Sequence, residues 1–212
     1  LESFLKAPNA DSDDFFGGSV AISGNTIVVG APQESSGQFT ITDGATASPD
    51  NSTSQSGAVY VFKRTGGSWV QEAFLKAPNP TSTDRFGASV SISDDTIAVG
   101  AFQEDSTQTT ISNGPVASSN NSLNNSGAVY VFKRTGSIWD NEAYIKASNA
   151  GNADLFGENV EISGDTIVVG ATAEDSNQTT ITNGTTASSD NSMSSSGAVY
   201  VYKRTGTSWA QE

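Results

Sequence analysis

The 212 residues predict an all-β protein built from three copies of one four-stranded unit. Three observations carry that reading. The phrase SGAVYVFKRTG fills residues 56–66, returns unchanged at 126–136, and returns at 196–206 with Tyr202 in place of Phe. The other landmarks keep the same 70-residue spacing: Trp69, Trp139 and Trp209, and the Phe-Gly pairs at Phe16, Phe86 and Phe156. Inside a copy the apolar residues form short runs and alternations, and no stretch has convincing helical periodicity.

Taken in order, the first predicted strand is Ser19–Ser23, where Val20 and Ile22 share a face. The second is Thr26–Ala31, a short apolar run suited to burial on both sides. The turn between them is Gly24-Asn25, then Asp94-Asp95 and Gly164-Asp165 in the later copies. These residue types tolerate a tight hairpin turn, so the two strands should pair antiparallel. The third strand, 57–64, is rich in β-branched and aromatic residues. Its Tyr60 and Phe62 are expected to fill the core or the space between units. Its Lys63-Arg64 pair is expected to solvate the strand end and to meet nearby carboxylates. The fourth strand is 69–77. Plain alternation puts Trp69, Gln71, Ala73, Leu75 and Ala77 on one face, and Val70, Glu72, Phe74 and Lys76 on the other.

Between the second and third strands lie long loops at 32–55, 102–125 and 172–195, rich in Ser, Thr, Asn, Asp and Gly. Loops of that length are uncommon unless functional or disordered. Each carries an alternating segment that meets Asp-Gly or Asn-Gly at 43–44, 113–114 and 183–184, which predicts a small β-hairpin or an ordered loop. Its repetition suits a structural task. Binding also concentrates on such loops.

Composition narrows the function. The chain has 23 acidic and 10 basic residues, a net charge of −13. So acidic a surface repels nucleic acid and anionic membranes. Nine of the ten basic residues recur in register, and only Arg85 does not. They belong to the repeat and form no phosphate-binding patch. With no Cys and no His, disulfides, thiolate zinc sites and histidine acid–base chemistry are excluded. No nucleophile motif is present, and the carboxylates mostly recur in every copy, which suits a scaffold better than one active centre. No apolar run is long enough for a membrane-spanning helix. Asp14, Asp84 and Asp154 each precede Phe-Gly with one residue between, a place for a side-chain hydrogen bond to the turn.

The run FGGSVAISGNTIVVGAPQE followed by SGAVYVFKRTGGSW resembles an FG-GAP repeat, the blade type of integrin α-chain heads and of many bacterial surface and secreted proteins. The likeness covers all three copies, although Gly-Ala-Pro itself survives only at Gly30–Pro32. The resemblance implies β-propeller-type blades of four antiparallel strands and an extracellular or cell-surface setting. It implies a non-enzymatic role in adhesion, with a protein or glycan partner met through the three long loops. Integrin-type blades hold calcium between their first two strands. Here that place is a two-residue turn, too short to supply six to eight oxygens, so those ligands do not carry over. Other acids recur in the long loop: Glu34 and Asp50, Glu104 and Asp105, and Glu174, Asp175 and Asp190. No cofactor is required. Calcium is a possibility at Glu104, Asp105, Glu174, Asp175 and Asp190, against the plainer reading of solvated surface charge.

The copies divide the chain into 8–77, 78–147 and 148–212, with 1–7 as a strand that completes a neighbouring unit. Three units are fewer than a propeller ring needs. The expectation is a segment of a longer repeat protein, an open solenoid, or copies joined head to tail by strand complementation into a filament, ring or surface layer.

Overall fold

A computed structural model describes residues 3–212. Residues 1 and 2 of the expected N-terminal strand lie outside the described residues. In the first unit β1 (Ser19–Ser23) and β2 (Thr26–Ala31) form an antiparallel hairpin closed where Ser23 faces Thr26. β3 is the dipeptide Thr42–Asp43, β4 is Ala58–Thr65 and β5 is Ser68–Leu75. The sheet order is β1-β2-β4-β5-β3. The second unit repeats it with β6 (Ser89–Ser93), β7 (Thr96–Ala101), β8 (Ser112–Asn113), β9 (Ala128–Thr135) and β10 (Ile138–Ile145). The third comprises β11 (Phe156–Ser163), β12 (Thr166–Ala171), β13 (Ala198–Thr205) and the short β14 (Ser208–Gln211). The four main strands of each unit fall where the sequence places them, to within a residue or two except that β11 begins three residues early, at Phe156.

Two expectations change. The Asp-Gly and Asn-Gly segments do not fold back on themselves as hairpins. Instead β3 adds to the outer edge of the sheet, Thr42 opposite Phe74 and Asp43 opposite Ala73. In the first two units the loop is therefore ordered by pairing with its own sheet, and the third loop, at 183–184, forms no such strand. The second change is in β5 and β10, where plain alternation fails. Phe62 faces Gln71 but Val61 faces Ala73, so Glu72 is an extra residue, and Glu142 repeats the bulge in β10. One inserted residue exchanges the two faces of all that follows. Trp139 accordingly packs with Tyr144, while Ala143 and Ile145 join the opposite core.

The bulge gives each sheet two unlike faces. One is aliphatic: Val28, Val59, Val61, Ala73 and Leu75 in the first unit. It packs against the aromatic face of the next, where Phe86, Tyr130, Phe132, Trp139 and Tyr144 cluster. The second junction repeats this with Val129, Val131 and Ile145 against Phe156, Tyr200, Tyr202 and Trp209. Each such side chain contributes roughly 1.5–3 kcal/mol on full burial. The Phe-Gly pair seals each junction. Phe86 forms a parallel bridge to Gly57, and Phe156 one to Gly127. The carbonyls of Gly87 and Gly157 also accept the hydroxyls of Ser19 and Ser89 at 2.8 and 2.9 Å. Approach is so close that a Cβ at Gly30 or Gly100 would stand 2.0 or 1.9 Å from those carbonyl oxygens.

Candidate functional site

Each long loop leaves the second strand through a tight turn in which the amide of Glu34, Glu104 or Glu174 donates to Ala31, Ala101 or Ala171. The turn sends the glutamate inward. All three are buried, at 1, 1 and 2% exposure, and are not the solvated surface charges expected of the sequence. Glu34 accepts the Lys76 ammonium at 2.9 Å, with Ser36 N and Asn9 Nδ2 as further donors. Lys76 spends its other donors on Ser56 Oγ and the Gly57 carbonyl. Glu104 accepts Lys146 at 2.8 Å, the Tyr144 hydroxyl, Ser106 N and Asn79 Nδ2. Burial pulls both lysines below their ordinary value, against the opposing pull of the carboxylates.

The same asparagines tie the network to the loop. Asn9, Asn79 and Asn149 accept the hydroxyls of Tyr60, Tyr130 and Tyr200 at 2.7 Å. They donate to the carbonyls of Ser48, Ser118 and Ser188. Glu174 departs from the pattern. It accepts Asn149 Nδ2 at 2.9 Å and Ser176 N at 3.1 Å, and no ammonium reaches it among the described residues.

The remaining calcium candidates close the loop upon itself. Asp105 accepts the amide of Asn125, and Asp175 that of Ser195, both at 2.7 Å. In the first copy Ser35 Oγ takes the same place and accepts the amide of Gln55. Asp190 accepts the amide and hydroxyl of Ser192, as Asn120 does from Ser122. Asp50 holds Gly37 N and Ser52 Oγ. Neutral Ser35 and Asn120 thus do what the acids do. Among the described residues no three acids gather as a metal-binding group. Asp14, Asp84 and Asp154 accept the amides of Asp11, Thr81 and Gly151, so each holds the turn before it and not the Phe-Gly turn after it.

Sequence reasoning missed the groups that fasten one unit to the next. Asp43 accepts the Trp139 amide at 3.2 Å, and Asn113 accepts that of Trp209 at 2.7 Å. The bulged Glu72 accepts Arg134 at 2.7 Å and the Trp139 indole at 3.2 Å, while Arg134 lies 5.1 Å from the centre of that ring. Glu142, Arg204 and Trp209 repeat the arrangement. The Lys-Arg pair does meet carboxylates, but its arginine meets one across the junction. The constant Glu34-to-Lys76 and Asp43-to-Trp139 spacings were the available signals. They were hidden because both partners lie in different predicted elements.

Stacked antiparallel sheets of four main strands, two of them with a short fifth at the edge, fastened through a Phe-Gly turn, define a propeller-type blade repeat. A model of the FG-GAP repeat matches residues 1–62, 69–132 and 139–202, and the chain belongs to the FG-GAP repeat family. Repeats of this family are typical of extracellular and surface proteins and are generally non-catalytic. A comparison with curated proteins found none that matches.

Proposed function

We propose that the chain is a non-enzymatic, extracellular or cell-surface repeat module that meets a protein or glycan partner in adhesion through loops 32–55, 102–125 and 172–195. The observation that carries this is the combination of anchored loop ends with exposed apolar side chains further out. Each loop is pinned by its buried glutamate and by the edge strand or asparagine, yet Phe39 and Val116 stand 65 and 69% exposed. A rigid loop loses little entropy on binding, which favours a recognition surface. Substituting Phe39 and Val116 by Ser, or grafting Gly/Ser over the exposed loop segments, should abolish adhesion to glycan arrays and cell surfaces while the melting temperature holds. Undiminished adhesion would sink the reading.

A second reading has its own support. The aromatic face of the first unit is exposed along β1, where Val20 and Ile22 are 67 and 64% exposed although Tyr60, Phe62 and Phe74 are buried, and on the aliphatic face of the third unit Val199 is 67% exposed. These two faces match those that meet at the internal junctions. Head-to-tail assembly of copies by strand complementation would cover both.

Calcium is not part of this proposal: at Asp175 and Asp190 it would have to displace the amides of Ser195 and Ser192 that they now accept.

A further inference from the structure

The buried network behind each of the first two long loops gathers the parts of a covalent reaction. In the second unit Lys146 and Glu104 are each 1% exposed. Glu104 is shared between two nitrogens: Oε2 accepts the Lys146 ammonium at 2.8 Å, and Oε1 accepts the carboxamide nitrogen of Asn79 at 3.3 Å. The oxygen of that carboxamide accepts the hydroxyl of the fully buried Tyr130 at 2.7 Å. An amine, a carboxylate touching both nitrogens and a donor on the carbonyl oxygen thus surround one amide. The first unit repeats the set. Lys76 lies on Glu34 Oε2 at 2.9 Å, Asn9 on Glu34 Oε1 at 3.3 Å, and Tyr60 on Asn9 at 2.7 Å.

We propose that Lys146 and Asn79 join in an intrachain amide bond, and that Lys76 and Asn9 join in another. In the second unit Glu104 takes a proton from the ammonium, and the freed amine attacks Cγ of Asn79. The Tyr130 hydroxyl stabilises the negative charge that develops on Oδ1. The Nζ–Cγ bond forms, Cγ–Nδ2 breaks, and ammonia leaves. Of the two protons that Nζ gives up, one departs with the ammonia and one stays on Glu104. A buried ion pair thereby becomes a neutral acid and an amide, which relieves the cost of burying two charges. Burial also pulls both lysines below their ordinary value and so eases formation of the free amine. Attack requires the amine about 3–3.5 Å from Cγ, reached by a turn of the lysine side chain about the carboxylate it shares with the amide. Each bond forms once and within the chain, so no substrate is turned over.

The placement of the bonds has a mechanical consequence. Lys76 and Lys146 directly follow β5 and β10, while Asn9 and Asn79 stand ahead of β1 and β6. Each bond ties the entry of a unit to its exit. Only Ala77 and Pro78 separate Lys76 from Asn79. A pull along the chain would pass from 9 to 76, on to 79 and across to 146, and residues 10–75 and 80–145 would carry none of it. A module that holds a partner at a surface would keep its sheets and loops folded under tension.

The test is the intact mass of the purified full chain, with peptide mapping. Two bonds should lower the mass by about 34 Da, and a mapped peptide should join Asn79 to Lys146. Glu104→Gln removes the proton acceptor and should leave the first unit's bond alone, a loss of about 17 Da. Tyr130→Phe keeps the buried ring and should slow the second bond about a hundredfold in freshly synthesised chain. Should Glu104→Gln fail to fold, the wild-type mass and the Tyr130→Phe time course still decide. A folded wild-type chain of full mass overturns the proposal. So does a loss of ammonia with no joined peptide, as an asparagine cyclising on its own backbone would give. A loss of about 18 Da per unit, one water, would place the bond on the glutamate and overturn asparagine as the acceptor. Bond formation at the wild-type rate in both variants would overturn the roles of Glu104 and Tyr130.

Discussion

Lys146 directly follows β10, between Ile145 and Ala147, and extending the strand's alternation to it assigns a face without saying that the face is closed. It is 1% exposed, held by Glu104 and Ser126. Removing one member of a buried pair leaves the other charge uncompensated, at a cost of about 3–5 kcal/mol. Lys146→Met should lose about that much in urea denaturation. Adding Glu104→Gln should recover part of the loss, since Gln still accepts from Tyr144 and carries no charge. Asp84 offers a pH test. Its carboxylate is 1% exposed, and desolvation pushes it from 3.8 up to about 7, against the hydrogen bonds of Thr81. An unfolded aspartate titrates near 3.9. Between about pH 4 and about pH 7 the folded chain therefore binds more protons than the unfolded one, and stability falls as pH rises through that window. Asp84→Asn should flatten the dependence of the urea midpoint on pH. An unchanged slope would show that Asp84 titrates normally. The buried acid and lysine were individually visible in the sequence as recurring charges. Their pairing was not, because it depends on a turn at Ala31 that points Glu34 inward and on the closure of both faces of β5.

At the scale of the element, the strand pattern was legible almost throughout. Val, Ile and Tyr runs bounded by Gly-Asn or Thr-Gly leave few alternatives. The bulge was not legible, because Gln-Glu and Asn-Glu read as ordinary polar positions in an alternation. It is nevertheless the reason that one face of each sheet is aromatic and the other aliphatic, and it turns Glu72 and Glu142 toward the next unit's Arg and Trp. The Asp-Gly signal was read correctly as order and wrongly as a local hairpin, since the better partner was a free sheet edge. The close approach at the junction gives a sharp prediction. Gly100→Ala would place a methyl group 1.9 Å from the Gly157 carbonyl. Forcing the two units apart should destabilise the second junction by about 2–3 kcal/mol or more. Hydrogen exchange should then rise at β11 and β12 before it rises at β2. Equal protection across the two junctions would refute the account.

On the scale of the whole molecule, length, charge and period pointed to a repeat scaffold, and the family match agrees. The long loops remain the place where function is proposed, and their carboxylates give a further test. Ser35 and Asn120 make the same hydrogen bonds as Asp105 and Asp190. Calcium titration should accordingly leave the melting temperature unchanged. A rise of several degrees would identify the Asp175 and Asp190 loop as a binding site. The two unlike faces of each blade carry one more consequence. Each seam joins one unit's back to the next unit's front, a heterologous contact that propagates from unit to unit where an isologous one would end at two. The unit can therefore be copied: since every back fits every front, a recombination event that gains or drops a whole 70-residue block leaves each seam as it was. Such a gene can change its reach within one generation without evolving a new contact.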